Sequence, residues 1–356
     1  MITEVIHGRA TEILGIEGKA VAAFLREALQ HHTLVLQERP SAVRKNSPES
    51  AVTIIELTGF PPVCVKEFRW RGWLHGVKGC VRPTQGLRTY RNGCRLMAAG
   101  IPAASPLALF RYARGGLVRS EWVIMEVIPA ALELDRYVLS QERQPWSCGE
   151  RRAFVRSFGG FIGALHAKGI LHADLKTCNI LVARNQESVL KLDADVQRVG
   201  QALPHPEQDT RQLHQEDRFH FTLLDYDDVR FLNRVPWRNR VKNLVQIFLS
   251  TPLALGTTDR VRFLHAYAAA CGLPGDKTRE LARAVLQAAR NRRILYVGFQ
   301  GDITENWEIT GKAWKTHKAA LSSGNTHPLT NLHGTEPHQP RSRKTVAAID
   351  LREESR

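Results

Sequence analysis

One segment, HADLKTCNILV from His172 to Val182, gathers side chains whose types and spacing suit a single chemistry. Asp174, Lys176 and Asn179 fall within six residues, directly before an apolar run. Phosphoryl transfer needs this set: a carboxylate to orient a hydroxyl and take its proton, a cation beside the transferring phosphate, and a carboxamide oxygen for Mg²⁺. His172, two residues before Asp174, is read as a packing residue of the loop and not as a proton shuttle.

Such a loop needs a lysine to hold the phosphate donor and a second carboxylate for the metal. Val63-Cys64-Val65-Lys66 resembles the V-A-I-K strand whose lysine meets the α- and β-phosphates of ATP, and the spacing from His172 to Asn179 matches the H-x-D-x-K-x-x-N loop of protein-kinase-like enzymes. Two acids compete for the metal. Asp193 in KLDAD follows Asn179 by 14 residues, whereas Asp225 follows it by 46 and ends the apolar run FTLLD. Spacing favours the first and the strand favours the second, so the residues alone leave the choice open.

The elements that must position these groups change character along the chain. Residues 1–30 read as a short strand or loop and then a helix, with Ala20, Phe24, Leu25 and Leu29 on one face. Strand-like runs follow at 33–38, 51–57 and 63–68, joined by the turn formers KNSPES and TGFPP. A helix is expected over 86–99, stopped by Gly100 and Pro102, then strands at 107–112 and 121–128 around a Gly-Gly turn. Ser147 and Glu150 form a capping box, after which Phe154, Phe158, Phe161, Ile162 and Leu165 repeat at helical spacing up to Gly169. Strands at 180–183 and 221–225 and helices at 239–250, 258–271 and 276–291 complete an α+β chain with a β-rich lobe before an α-rich one.

The boundaries read as an N-terminal extension with a helix (1–30), a β-rich lobe (31–128), an α-rich lobe (129–318) and a tail (319–356) without periodicity, expected to be disordered.

Composition narrows the partners. The chain has 356 residues, 43% hydrophobic and 24% charged, which is globular usage and excludes a collagenous or low-complexity chain. No apolar window reaches the roughly 20 residues of a membrane span, and MITEVIHGRATEILGIEG has no secretory pattern. Six cysteines without a CxxC pair argue against a zinc site and fit a reducing compartment. The net charge is +15, and all of it sits in two windows without acids: ten Lys/Arg in 68–120 and five in 229–258. A field so concentrated attracts an anion, either a phosphorylated sugar or an acidic membrane surface. Nucleic acid is not expected, because no recognised binding motif is present. Nothing in the sequence sets the oligomeric state.

Taken together, PVCVKEFR, TYRNGCRLMAAGIPAASPLAL, HADLKTCNILV, LLDYDDVRF, RNRVKNLVQIFLS and RFLHAYAAACG resemble the lipopolysaccharide kinase (Kdo/WaaP) family, a branch of the protein-kinase-like fold. The likeness covers about residues 50–272 and decides between the acids, because that family ends its metal-binding strand in a D-x-D before a basic N-L helix. It implies that Asp225 and Asn179 hold Mg²⁺, that Lys66 holds ATP, that Asp174 and Lys176 are catalytic, and that 184–220 is an insertion. His205, His214 and His220 of that insertion are read as surface residues. Adenine is expected against the hinge at Glu126 to Ile128.

The resemblance implies a lipopolysaccharide core kinase whose acceptor is a Kdo or heptose hydroxyl on an anionic lipid A–core glycolipid, met peripherally at the cytosolic face of the inner membrane. Two departures from the kinase pattern stand out. No G-x-G-x-x-G precedes Lys66, so the phosphate-covering hairpin falls at 38–52, and no acid in 68–120 is available to pair with Lys66. The second departure keeps a non-catalytic nucleotide-binding scaffold in play beside a protein or small-molecule kinase.

Overall fold

The β-rich part is one antiparallel sheet of six strands: β1 (Ile2–Ile6), β2 (Val43–Asn46), β3 (Ser50–Ile55), β4 (Val63–Arg69), β5 (Pro106–Arg114) and β6 (Leu117–Glu126), in the order β1-β5-β6-β4-β3-β2. The structure is a computed structural model. It describes residues 2–16, 18–38, 42–69, 72, 82–141, 145–184, 218–252, 254–290, 294–297 and 303–306. Asp193, His205, His214 and the tail 319–356 lie outside the described residues.

Successive strand residues face opposite ways. In β4, Val63 and Val65 enter one buried layer, while Cys64, Lys66 and Phe68 turn to the other. The first layer is completed by α1 (Ala10–Leu14) and by α2 (Gly18–Glu38), whose buried Val21, Phe24, Leu25, Ala28, His32 and Val35 recur at helical spacing.

The strand expected over 33–38 is therefore the last part of a helix. A short apolar run fits either period, and here the buried His32, bonded through Nδ1 to Thr53 Oγ1 at 2.8 Å, continues the helical face up to Val35. The hairpin expected at 38–52 forms as β2–β3, with Ser47 bridging to Ser50 and Arg69 bonding Asn46 Oδ1 at 2.9 Å and the Ser47 carbonyl at 2.8 Å. Gly115 and Gly116, both at positive φ, make the tight β5–β6 turn.

Helix α3 (Gln85–Ala98) packs against the second face of the sheet. Its first turn is held by Glu121, only 3% exposed, whose carboxylate accepts from the Gly86 amide at 2.8 Å and from Arg111 Nε at 3.0 Å. An anion at a helix N-terminus satisfies free amides and the dipole together.

The second part is helical: α4 (Leu134–Ser140), α5 (Cys148–Ala167), α6 (Trp237–Ser250), α7 (Thr257–Ala270) and α8 (Gly275–Ala289). The capping box of α5 is present in both directions, Glu150 N to Ser147 Oγ at 3.2 Å and Ser147 N to Glu150 Oε2 at 3.0 Å. Gly169 ends that helix at φ +72°, where a Cβ would lie 1.8 Å from the Leu232 carbonyl oxygen, so no other residue fits.

Short strands then place the loops. β7 (Leu132–Glu133), β9 (Ile180–Arg184) and β10 (Phe219–Leu223) form one small sheet in the order β10-β9-β7, and β8 (Ile170–His172) pairs with β11 (Val229–Phe231). Arg184 faces Phe219 across β9 and β10, so the chain leaves and rejoins this sheet at one point. A final hairpin joins β12 (Ile294–Val297) and β13 (Ile303–Asn306). Apolar side chains run without a break from the sheet, through Phe68, Leu109 and Val123, into α5 and α6 through Phe158, Ile162 and Leu244.

Candidate active site

The loop between β8 and β9 carries the three residues first singled out. Asp174 forms an ion pair with Lys176 at 3.0 Å, and Asn179 donates through Nδ2 to the Asp174 carbonyl at 2.8 Å. The Asn179 carboxamide oxygen has a long 3.9 Å contact from Cys178 Sγ and can still turn to a metal. The Asp174 carboxylate is half exposed, open to an acceptor from solvent.

Helix α6 fixes this loop from below. Asn243 donates to the His172 carbonyl at 2.7 Å, Gln246 donates to the Ala173 carbonyl at 3.0 Å and accepts from the Leu175 amide at 3.3 Å, and Ser250 Oγ accepts from the Thr177 amide at 3.0 Å. Sequence reasoning missed these three residues. Their signal was present as polar side chains at i, i+3 and i+7 on a helix otherwise rich in Leu, Val and Ile.

His172 is 1% exposed and bonded at both ring nitrogens: Nε2 donates to the Leu224 carbonyl at 3.0 Å and Nδ1 accepts from the Asp174 amide at 3.2 Å. Burial lowers its pKa and keeps it neutral, which agrees with a packing role.

Asp225 reaches the same cleft from β10. Ile180 and Leu223 are partners across β9 and β10, and the Leu224 amide donates to the Asn179 carbonyl at 2.8 Å. The residues before β9 and after β10 therefore lie side by side. Asp225 itself adopts a left-handed backbone, φ +53° and ψ +45°, and its carboxylate pairs with Lys66 Nζ. Burial pushes the Asp225 carboxyl up, but Lys66, by charge and hydrogen bond, outweighs it with a smaller contribution from Lys45 and leaves the group below the ordinary aspartate value. Lys45, which adds the last of these influences, belongs to β2.

Asp227, the second acid of the D-x-D, points elsewhere. It is buried, accepts from Gln85 Nε2 at 2.7 Å, and is raised by burial and by the neighbouring Asp225 charge. At the hinge, Glu126 is committed through its carboxylate to the Ser105 amide at 2.9 Å and hydroxyl at 2.6 Å. Among the described residues the Ile128 amide has no backbone partner.

The structure thus brings Lys66, Asp174, Lys176, Asn179 and Asp225 to one cleft below the sheet, with Glu126 and Ile128 at the connection between the lobes. Asn179 and Asp225 offer hard oxygen donors, one neutral and one anionic, which suits Mg²⁺. Among the described residues no cluster of three or more His, Cys, Asp or Glu has the form of another metal site.

An antiparallel sheet set over a helical lobe, with an H-x-D-x-K-x-x-N loop in the cleft, is the protein-kinase-like architecture. Residues 84–199 match the model of the lipopolysaccharide kinase (Kdo/WaaP) family, a segment that holds α3, the hinge and the 172–179 loop, while Lys66 and Asp225 lie outside it. Among solved structures the chain is similar to "WaaP in complex with acyl carrier protein", with 16% identity, a TM-score of 0.49, and coverage of 81% of this chain and 98% of that one. No curated protein matches the chain.

Proposed function

We propose that this chain is an ATP- and Mg²⁺-dependent kinase that phosphorylates a sugar hydroxyl, Kdo or heptose, of the lipopolysaccharide inner core. The observation that carries the reading is the meeting of Asp174, Lys176, Asn179, Lys66 and Asp225 in one cleft of a chain with a Kdo/WaaP family segment.

Asp174 orients the acceptor hydroxyl and takes its proton as the acceptor oxygen bonds to the γ-phosphorus and the bond to the β-phosphate oxygen breaks. Lys176 stands 3.0 Å from that carboxylate and offsets charge on the phosphoryl oxygens in flight. Lys66 holds the α- and β-phosphates, and the Glu126 to Ile128 backbone receives adenine. Asn179 and Asp225 hold Mg²⁺, which neutralises charge on the phosphates when bound. The β2–β3 hairpin, with Lys45 on β2, would cover the phosphates in place of a glycine-rich loop.

An inner-core glycolipid is polyanionic, in accord with the basic windows. No helix among the described residues is long and apolar enough to cross a membrane. The basic windows would bring the chain to such an acceptor peripherally, at the cytosolic face of the inner membrane. Incubation with γ-labelled ATP, Mg²⁺ and a panel of core glycolipids, proteins and aminoglycosides tests the reading. Label on the glycolipid core supports it. Label only on another acceptor moves the chain to a protein or small-molecule kinase, and ATP binding without transfer to any acceptor makes it a scaffold.

A further inference from the structure

In protein kinases the lysine of this strand is paired with a glutamate on the helix that follows it, and the pair ties that helix to the active site. Residues 68–120 contain no acid, so α3 offers Lys66 no such partner. The helix is nevertheless tied to the site by another route. Gln85, Arg88 and Asn92, at i, i+3 and i+7, face the turn Tyr226–Asp228 that follows Asp225.

Asn92 does most of the tying. Its single amide group approaches three carbonyl oxygens, those of Tyr226 at 2.9 Å, Asp227 at 3.0 Å and Val229 at 3.3 Å. Gln85 donates to the Asp227 carboxylate at 2.7 Å, while Arg88 reaches the Asp227 carbonyl at 3.3 Å and the Asp228 carboxylate at 3.2 Å. Tyr226 is buried against α3 at Gly93, where an added Cβ would stand 3.0 Å from its ring. The turn therefore presents its carbonyls to the helix, and Asp225, in a backbone conformation that non-glycine residues rarely adopt, is turned toward Lys66.

We infer that Asn92 is the positioning residue through which α3 sets the Asp225 carboxylate, so that the link from helix to active site runs through the metal-binding acid and not through the lysine. The inference rests on the assignment of Asp225 to Mg²⁺ under the proposed function. Its consequence is specific. Loosening the grip of α3 should impair capture of the metal while leaving metal-free nucleotide contacts intact.

The test is a Mg²⁺ titration of fluorescent ATP-analogue binding to the full chain, for wild type, Asn92→Ala, Arg88→Gln and the exposed control Arg91→Ala, with a metal-free thermal melt of each. The expected result is a Mg²⁺ midpoint raised roughly three- to tenfold in Asn92→Ala, the scale of one lost hydrogen bond, a smaller rise in Arg88→Gln, and no change in Arg91→Ala. Metal-free analogue binding should be the same in all four proteins. If Asn92→Ala does not fold, the Arg88→Gln midpoint decides. A lower melting temperature with unchanged Mg²⁺ midpoints would make these residues merely structural and overturn the inference while leaving the kinase reading in place. A wild type whose nucleotide binding ignores Mg²⁺ would overturn both.

Discussion

Lys66 on β4 and Asp225 after β10 form an ion pair between the two lobes, although 159 residues separate them in the chain. Each group compensates the other before any ligand arrives, and this accounts for a lysine that lacks a helix partner. The Lys66 side chain is 12% exposed, so its charge acts in a poorly solvated space. In Lys66→Met the largest influence that lowers the Asp225 carboxyl is gone, and burial is opposed only by weaker neighbours such as Lys45. Its pKa is expected to rise, as followed by carbon NMR of the side-chain carboxyl. The depressed value in wild type contributes stability above about pH 4 that is lost as pH falls through the folded pKa. Lys66→Met should not show this loss.

A second pH effect has its origin below the loop of residues 172–179. His166 is 1% exposed; its Nε2 donates to Asn243 Oδ1 at 3.1 Å, and its Nδ1 accepts from the Tyr267 hydroxyl at 2.8 Å. Burial, followed by the Arg240 charge, lowers its pKa to about 4 despite the Asn243 hydrogen bond. An unfolded histidine titrates near 6.5, so between about 6.5 and 4 the unfolded chain binds the extra proton. Up to about 3 kcal/mol of stability, complete above pH 6.5, should be lost on descending through that range. Urea unfolding at several pH values checks this, and His166→Gln should flatten the profile. Asn243 also holds the His172 carbonyl, so activity should fall with stability.

The packing of α5 on α7 allows a paired substitution on one helix. A Cβ at Gly163 would lie 2.5 Å from Ala270 Cβ and 2.7 Å from the Tyr267 carbonyl oxygen, whereas at Gly160 nothing lies within 4 Å. Gly163→Ala should destabilise by about 1–3 kcal/mol through overpacking. Gly160→Ala, three residues away, should stabilise by roughly 0.5–1 kcal/mol through helix propensity. Equal effects in thermal melts would contradict this description of the interface.

Much of the cleft was legible in the sequence for a physical reason. Asp174, Lys176 and Asn179 lie on one short loop, so their chemistry and their geometry share a scale. Lys66 was legible through the likeness of Val63–Lys66 to the V-A-I-K strand, and the Ser147–Glu150 box through its fixed spacing. Asp225 was not legible from residues alone, since only pairing of β9 with β10 brings it beside Asn179; the family resemblance had to point to it. Asn92, Asn243 and Gln246 were missed because each bonds backbone carbonyls some 70 to 140 residues away, and a carbonyl leaves no mark in a sequence. The stretch 33–38 was misread because its apolar pattern fits both periods and only packing on β3 and β4 selects the helix.

The basic windows also change meaning once folded. Arg69, Arg88, Arg111 and Arg240 are engaged internally, with Glu67, Asp228, Glu121 and the Val235 carbonyl, and Arg95 stacks 3.9 Å over the Phe231 ring. Arg91, Arg230, Arg234, Arg238 and Lys242 stay exposed. Sedimentation with anionic liposomes should therefore weaken on charge reversal at Arg234, Arg238 and Lys242, at roughly 1 kcal/mol for each cation near the surface. It should also weaken as salt shortens the Debye length from about 10 Å at 0.1 M to about 3 Å at 1 M. Binding that ignores both changes would favour a soluble acceptor.

The central claim is that Asp174 acts on a glycolipid hydroxyl within this cleft, and the most direct measurement compares wild type with Asp174→Ala. Each is mixed with ATP, Mg²⁺ and an inner-core glycolipid, the product is located by mass spectrometry of the released sugars, and nucleotide binding is measured in parallel. The account predicts a new phosphate on a Kdo or heptose residue with wild type, and a loss of at least about 10²-fold in turnover in Asp174→Ala, the scale of a lost positioned base, with ATP still bound. Near-normal turnover in that variant, or phosphate found only on something other than a core sugar, would contradict it.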